Sequence, residues 1–95
     1  MEWPFDDPPN LATITTRGVI DGAEWIASVS HDEDDGGWQF LGPRGARMDE
    51  AIVVALRRVW ERDESIGELS DLPEGWTAWR DGPDEPWQRG LSDNN

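Results

Sequence analysis

The segment Asp32-Glu33-Asp34-Asp35-Gly36-Gly37-Trp38-Gln39-Phe40 sets the strongest local constraint in this chain. Four successive carboxylates require water. Trp38 and Phe40, two residues apart, require burial on one face of a strand. Only two glycines separate these demands, and glycine reaches the positive φ that a sharp turn or bulge needs. The chain is therefore expected to turn here, leaving the acids in solvent and carrying both rings into the core. Neighbouring carboxylates about 5–8 Å apart repel by about 0.5–1 kcal/mol per pair in water before salt screening, a cost that suits an exposed loop.

Other elements follow from periodicity. "LATITTRGVI" is rich in Thr and Ile and reads as a strand, and Asp21-Gly22 reads as its hairpin turn. In "AEWIASVS", Trp25, Ala27 and Val29 alternate with Glu24, Ile26 and Ser28, the pattern of a second strand. "WQFLG" is the third. Residues 47–65 allow two readings. One is a helix with Ile52, Leu56 and Val59 in one stripe, Asp49 and Glu50 at its positive end, and Arg57, Arg58 and Arg62 toward its negative end. The other is a short buried strand at 51–54 feeding a helix from about 55 to 62, favoured by the β-branched run. Pro73 and Gly75 mark a turn, and "WTAWR" (76–80) alternates as a last strand, with Trp76 and Trp79 on opposite sides. The expected class is α+β: a small antiparallel sheet of four to five strands with one or two short helices on one face. One domain is expected, with an ordered core at about 10–80, an N-terminal arm at 1–9 and a frayed polar tail at 81–95.

A core this small has little to draw on, and the chain has no cysteine, so no disulfide or thiolate metal site supports it. Seven tryptophans fill that role instead. Trp25, Trp38 and Trp60 sit in apolar patterns and are expected inside. Trp3 and Trp87, flanked by Pro and acids, are expected to be loosely held or to tuck into surface grooves.

Charge narrows function. The chain carries 21 acids and 8 bases, a formal net charge of −13. Phosphate-rich nucleic acid and anionic membrane would be repelled. Solubility alone accounts for such a balance, and so does a basic protein partner. Acids and prolines at the start, "MEWPFDDPPN", replace the basic and apolar regions of a secretory signal, and no apolar run approaches the ~20 residues of a membrane span. A cytoplasmic location is expected.

The sequence offers little to catalysis. It has one histidine, His31, no G-x-S-x-G elbow, no phosphate-binding glycine loop and no H-E-x-x-H. Ser30 adjoins His31, but neighbours on a strand point to opposite faces. The acidic run departs from a calcium loop, because Gly36 and Pro43 fall where ligands belong. No enzyme activity, cofactor or metal site is expected.

"HDEDDGGWQFLG", followed by "MDEAIVVALRRVWERDESIGELSDLPEGWTAWR", resembles a family of small bacterial proteins of unknown function. That family carries an Asp-(Ser/Gly)-Gly-Trp-x-Phe strand and a Leu-Pro-x-Gly-Trp strand, and some of its members are described as immunity proteins of polymorphic toxin systems. The likeness spans about residues 24–80, with Glu64 and Arg57-Arg58 departing from the pattern. It implies the strand-then-helix reading of 51–62. It also implies an immunity-like inhibitor that blocks a basic toxin or enzyme surface. On that reading Asp32, Glu33, Asp34 and Asp35 meet the partner's bases, and Trp38 or Trp79 supplies an apolar anchor. The other reading is a housekeeping structural module with no toxin partner.

Overall fold

A computed structural model describes residues 2–45 and 48–92. Among these, six strands form one mixed sheet in the order β4-β1-β3-β2-β5-β6. The strands are β1 (Ala12–Thr16), β2 (Ser28–His31), β3 (Trp38–Leu41), β4 (Ala51–Ala55), β5 (Trp76–Trp79) and β6 (Gln88–Leu91). Two short helices, α1 (Arg17–Asp21) and α2 (Leu56–Arg62), and 3-10 turns at Met48–Glu50 and Glu64–Leu69 complete the described elements. The α+β class holds. The sheet is larger than expected and is not wholly antiparallel, because β1 pairs with β3 in parallel.

The first departure is at β1. Thr16 ends the strand by capping a helix. Its Oγ1 accepts a hydrogen bond from the Val19 N–H at 3.3 Å. Gly22, at φ 85°, closes that helix by donating to the Gly18 and Val19 carbonyls, as a left-handed residue at a helix end does. The Asp21-Gly22 pair is thus a helix stop, not a hairpin turn. Within β1 the usual pattern is inverted, since Thr13 and Thr15 are buried and Ile14 is 44% exposed. Both hydroxyls find carbonyl acceptors inside the sheet, Thr13 on Val54 at 3.0 Å and Thr15 on Phe40 at 2.8 Å. Their burial therefore leaves neither hydroxyl unsatisfied.

The second strand-to-helix junction follows the strand-then-helix reading, but the strand is not buried as expected, because β4 lies at the end of the sheet and Val53 is 68% exposed. Ile52, Val53 and Val54 stay extended, Ala55 retains strand dihedrals, and Leu56 begins α2. Leu56 and Val59 are buried on the helix face that meets the core. Beneath them lie Val29, Trp38, Phe40 and Ala78 from the sheet, joined by Val19, Ile66, Leu69 and Leu72.

Described residues near both ends belong to the fold. Phe5 is 6% exposed and packs edge-on against Trp38, with ring centroids 5.5 Å apart. Trp3 lies against Phe5 and Trp60. Asp7 ties this segment down: its carbonyl accepts from Trp3 Nε1 at 2.7 Å, and its carboxylate accepts from Trp38 Nε1 at 2.9 Å. Burying a Phe side chain stabilises by about 1.5–3 kcal/mol, enough to hold a short arm whose prolines already restrict it. At the other end, residues 88–91 of the expected tail form β6 along β5. Residues 93–95 of that tail lie outside the described residues. Trp87 lies over the Arg80 guanidinium at 4.1 Å. Trp38 is fully buried, whereas Trp25 and Trp60 are half-buried, because each covers the edge of the core and not its centre.

Candidate functional site

The helices and turns cover one face of the sheet, and the other face is open. Pairing register identifies the side chains on that open face. Ile14 lies opposite Val53 and beside Gln39. Gln39 lies opposite Ser30, Ser30 opposite Thr77, and Thr77 opposite Gly90. The neighbouring row runs from Leu41 through Ser28 and Trp79 to Gln88. Ala12, Ala51 and Ala55 complete the β1 and β4 contribution. None of these residues is charged, on a chain in which 31% of residues are. Ile14, Val53 (68%) and Trp79 (41%) are its exposed large hydrophobic side chains. The Trp79 ring lies across Gly90, where a Cβ would meet it at 3.4 Å.

At one end of this face stands the acidic loop. Asp32 to Gly37 join β2 to β3 and form a closed bend: the Asp32 N–H donates to the Gly37 carbonyl at 2.8 Å, and the Gly36 N–H to the Asp32 carbonyl at 2.9 Å. Two carboxylates also hold the bend, each turning back onto the backbone two residues on. Asp32 Oδ1 accepts from the Asp34 N–H and Asp35 Oδ1 from the Gly37 N–H, each at 2.8 Å. Gly36 takes φ 71°, the left-handed conformation that glycine tolerates. A Cβ there would also meet the Glu74 carboxylate at 2.9 Å, so Glu74 adds a fifth acid from the turn before β5. All four residues of the run are exposed. Among the described residues, no arginine is ion-paired with Asp32, Asp34 or Asp35. The arginine partners lie elsewhere: Arg44 on Glu24 and Glu50, Arg80 on Asp63, and Arg89 on Asp71.

Beneath the loop is a rigid support. His31 and Trp38 stack at 3.9 Å and 12° between planes. His31 Nδ1 lies 2.7 Å from the Leu72 carbonyl. That oxygen can only accept, so this nitrogen carries the proton. The Gly75 N–H donates to the His31 carbonyl at 2.7 Å, fastening the turn of β5 to the base of the loop. The loop and the open face enclose a groove of about 700 Å³. Ala12, Ile14, Ser30, Gln39 and Thr77 form its floor, and Asp32, Glu33, Asp34 and Asp35 form a wall.

The candidate residues thus divide. Asp32, Glu33, Asp34 and Asp35 are together at the groove. Trp79 shares the open face but sits at the far end of β5. Trp38 is corrected: at 2% exposure its indole offers a partner no surface, and it supports the loop from below. Glu74 and the uncharged floor were not foreseen. "ATITT" shows alternation, but alternation alone does not say which side faces in. Among the described residues, no three His, Asp or Glu side chains converge as a metal site. No helix among them is long and apolar enough to cross a membrane. Comparison with models of known families, with curated proteins and with solved structures gives no match.

Proposed function

We propose that this chain is a small acidic cytoplasmic binding protein, immunity-like in action, that blocks a basic surface of a toxin or other enzyme. One observation carries this reading: an uncharged open sheet face ends against a rigid acidic wall, with a groove between them. An uncharged floor loses water at low cost, since burial of unpaired charge is the expensive part of docking. The carboxylates do different work. They attract a basic surface through solvent, raising the association rate more than the final affinity. The Asp32 and Asp35 turns fix the bend in advance, so a partner orders little of it on binding. Trp79, exposed at the far end of the face, supplies an apolar anchor. Binding fits the site better than catalysis, because the single histidine is stacked under the loop with Nδ1 committed to a backbone carbonyl.

The test is capture from a lysate of the source organism with the full chain, alongside Asp34→Lys and Thr77→Arg variants of unchanged thermal stability. A retained protein of basic isoelectric point, lost with either variant, supports the reading. Retention of nothing, or of a protein held equally by both variants, overturns it.

A further inference from the structure

We infer that the β4 edge is a self-association site, through which a second copy of this chain adds antiparallel to extend the sheet. β4 ends the sheet, with no described strand beyond it. An exposed strand edge offers backbone donors and acceptors to another chain, and folds usually protect such an edge with charge, proline or a bulge. Ala51-Ile52-Val53-Val54-Ala55 has no charge and no proline, and its pairing with β1 runs over all five residues without a bulge.

The bonding phase of the strand defines the register. The Leu56 N–H donates to the Leu11 carbonyl at 2.8 Å, one step beyond the Ala12–Ala55 pair. Antiparallel alternation then turns the backbone groups of Val54 and Ile52 toward β1 and those of Ala51, Val53 and Ala55 outward. A two-fold axis at Val53 sets Val53 opposite Val53 of the second copy, and Ala51 opposite Ala55. All three outward-facing residues are paired in this one register.

Charge complementarity selects a second copy as the occupant. Two chains of −13 repel at a distance, but the strand itself carries none of that charge. Past the ends of the paired strands, the 3-10 turn of one copy, carrying Asp49, and the first turn of α2 of the other, carrying Arg57, come to the same end of the seam. Both residues are exposed, and the symmetry places this opposite-charge combination at each end. Among the described residues, the Arg57 side chain is otherwise held only by a loose 3.8 Å pair with the exposed Glu61. The two Val53 side chains, each 68% exposed, would come together on a shared uncharged face. A strand-to-strand contact of this length lies at the small end of specific interfaces, so a dissociation constant on the order of 10 μM is expected.

Sedimentation equilibrium of the full chain across about 1–500 μM, nearly three decades bracketing that value, is the test. The expected result is a reversible shift from 10.7 kDa toward twice that mass. Val53→Lys should abolish the shift with the fold retained by circular dichroism. Asp49→Arg and Arg57→Asp should each weaken dimerisation by about tenfold, and the double swap should restore it. A monomer at every concentration overturns the inference. So does a dimer that survives Val53→Lys, or a double swap that restores nothing. The groove is read separately, by the Asp34→Lys and Thr77→Arg variants, neither of which lies on β4.

Discussion

The Arg80 guanidinium lies 2.6 Å from the Asp63 carboxylate and is almost wholly enclosed, with Trp25 and Trp87 on its flanks. Nε donates to the Ile26 carbonyl at 2.9 Å and Nη1 to the Ser65 hydroxyl at 3.1 Å. This one side chain links β5, the segment before β2, the turn after α2 and the C-terminal arm.

Arg80→Ala should therefore be among the costliest single changes, at about 3–5 kcal/mol in urea unfolding, because it empties a buried site and strands its acceptors. Arg80→Lys should recover little, since an ammonium cannot reproduce the planar fork held between two rings. A loss below about 1 kcal/mol for Arg80→Ala would show that the network is not structural.

Phe5→Ala should destabilise by about 3 kcal/mol and expose the first nine residues to protease. A frayed arm would instead give a near-neutral change in urea midpoint and cleavage in the unaltered protein.

In the acidic bend, neighbouring carboxylates should behave differently. Asp35 accepts from the Gly37 N–H. Asp35→Ala leaves that donor without its partner and should cost about 0.5–1.5 kcal/mol. Asp34→Ala removes only charge from an exposed site and should stay within about 0.5 kcal/mol of the parent. Equal effects in thermal or urea unfolding would contradict the turn geometry.

Arg89 holds the Asp71 carboxyl below the ordinary aspartate range, chiefly through their hydrogen bond and then through its charge. A lowered folded-state pKa means that the stabilisation is present above the ordinary aspartate pKa and is lost as pH falls through the lowered value. Carboxyl-detected NMR titration should show the depression, and Arg89→Gln should abolish it.

Local physics was readable where one segment decides the outcome. Gly36-Gly37 and the Trp38/Phe40 alternation specified the bend and the inward rings without reference to the rest of the chain. The β-branched run at 52–54 signalled a strand before α2. Misreadings arose where one local signal serves two structures. Gly22 has the same positive φ in a hairpin or at a helix end, and the Thr16 hydroxyl, by capping Val19, selects the second. Residues 88–91 carry no strand pattern of their own; the open edge of β5 makes them β6. Phe5 becomes core only because it meets the Trp38 ring in a T-shaped contact. The uncharged floor was hidden for the same reason, since it is assembled from one or two residues of each of four strands.

The order of the strands across the sheet also bears on kinetics. Only β2–β3 and β5–β6 are sheet neighbours that follow one another along the chain. β1 must wait for β3 on one side and β4 on the other, and β2 must find β5 more than forty residues away. Closing such long loops before any contact rewards them slows a chain, so refolding belongs in the millisecond-to-second range despite the small size.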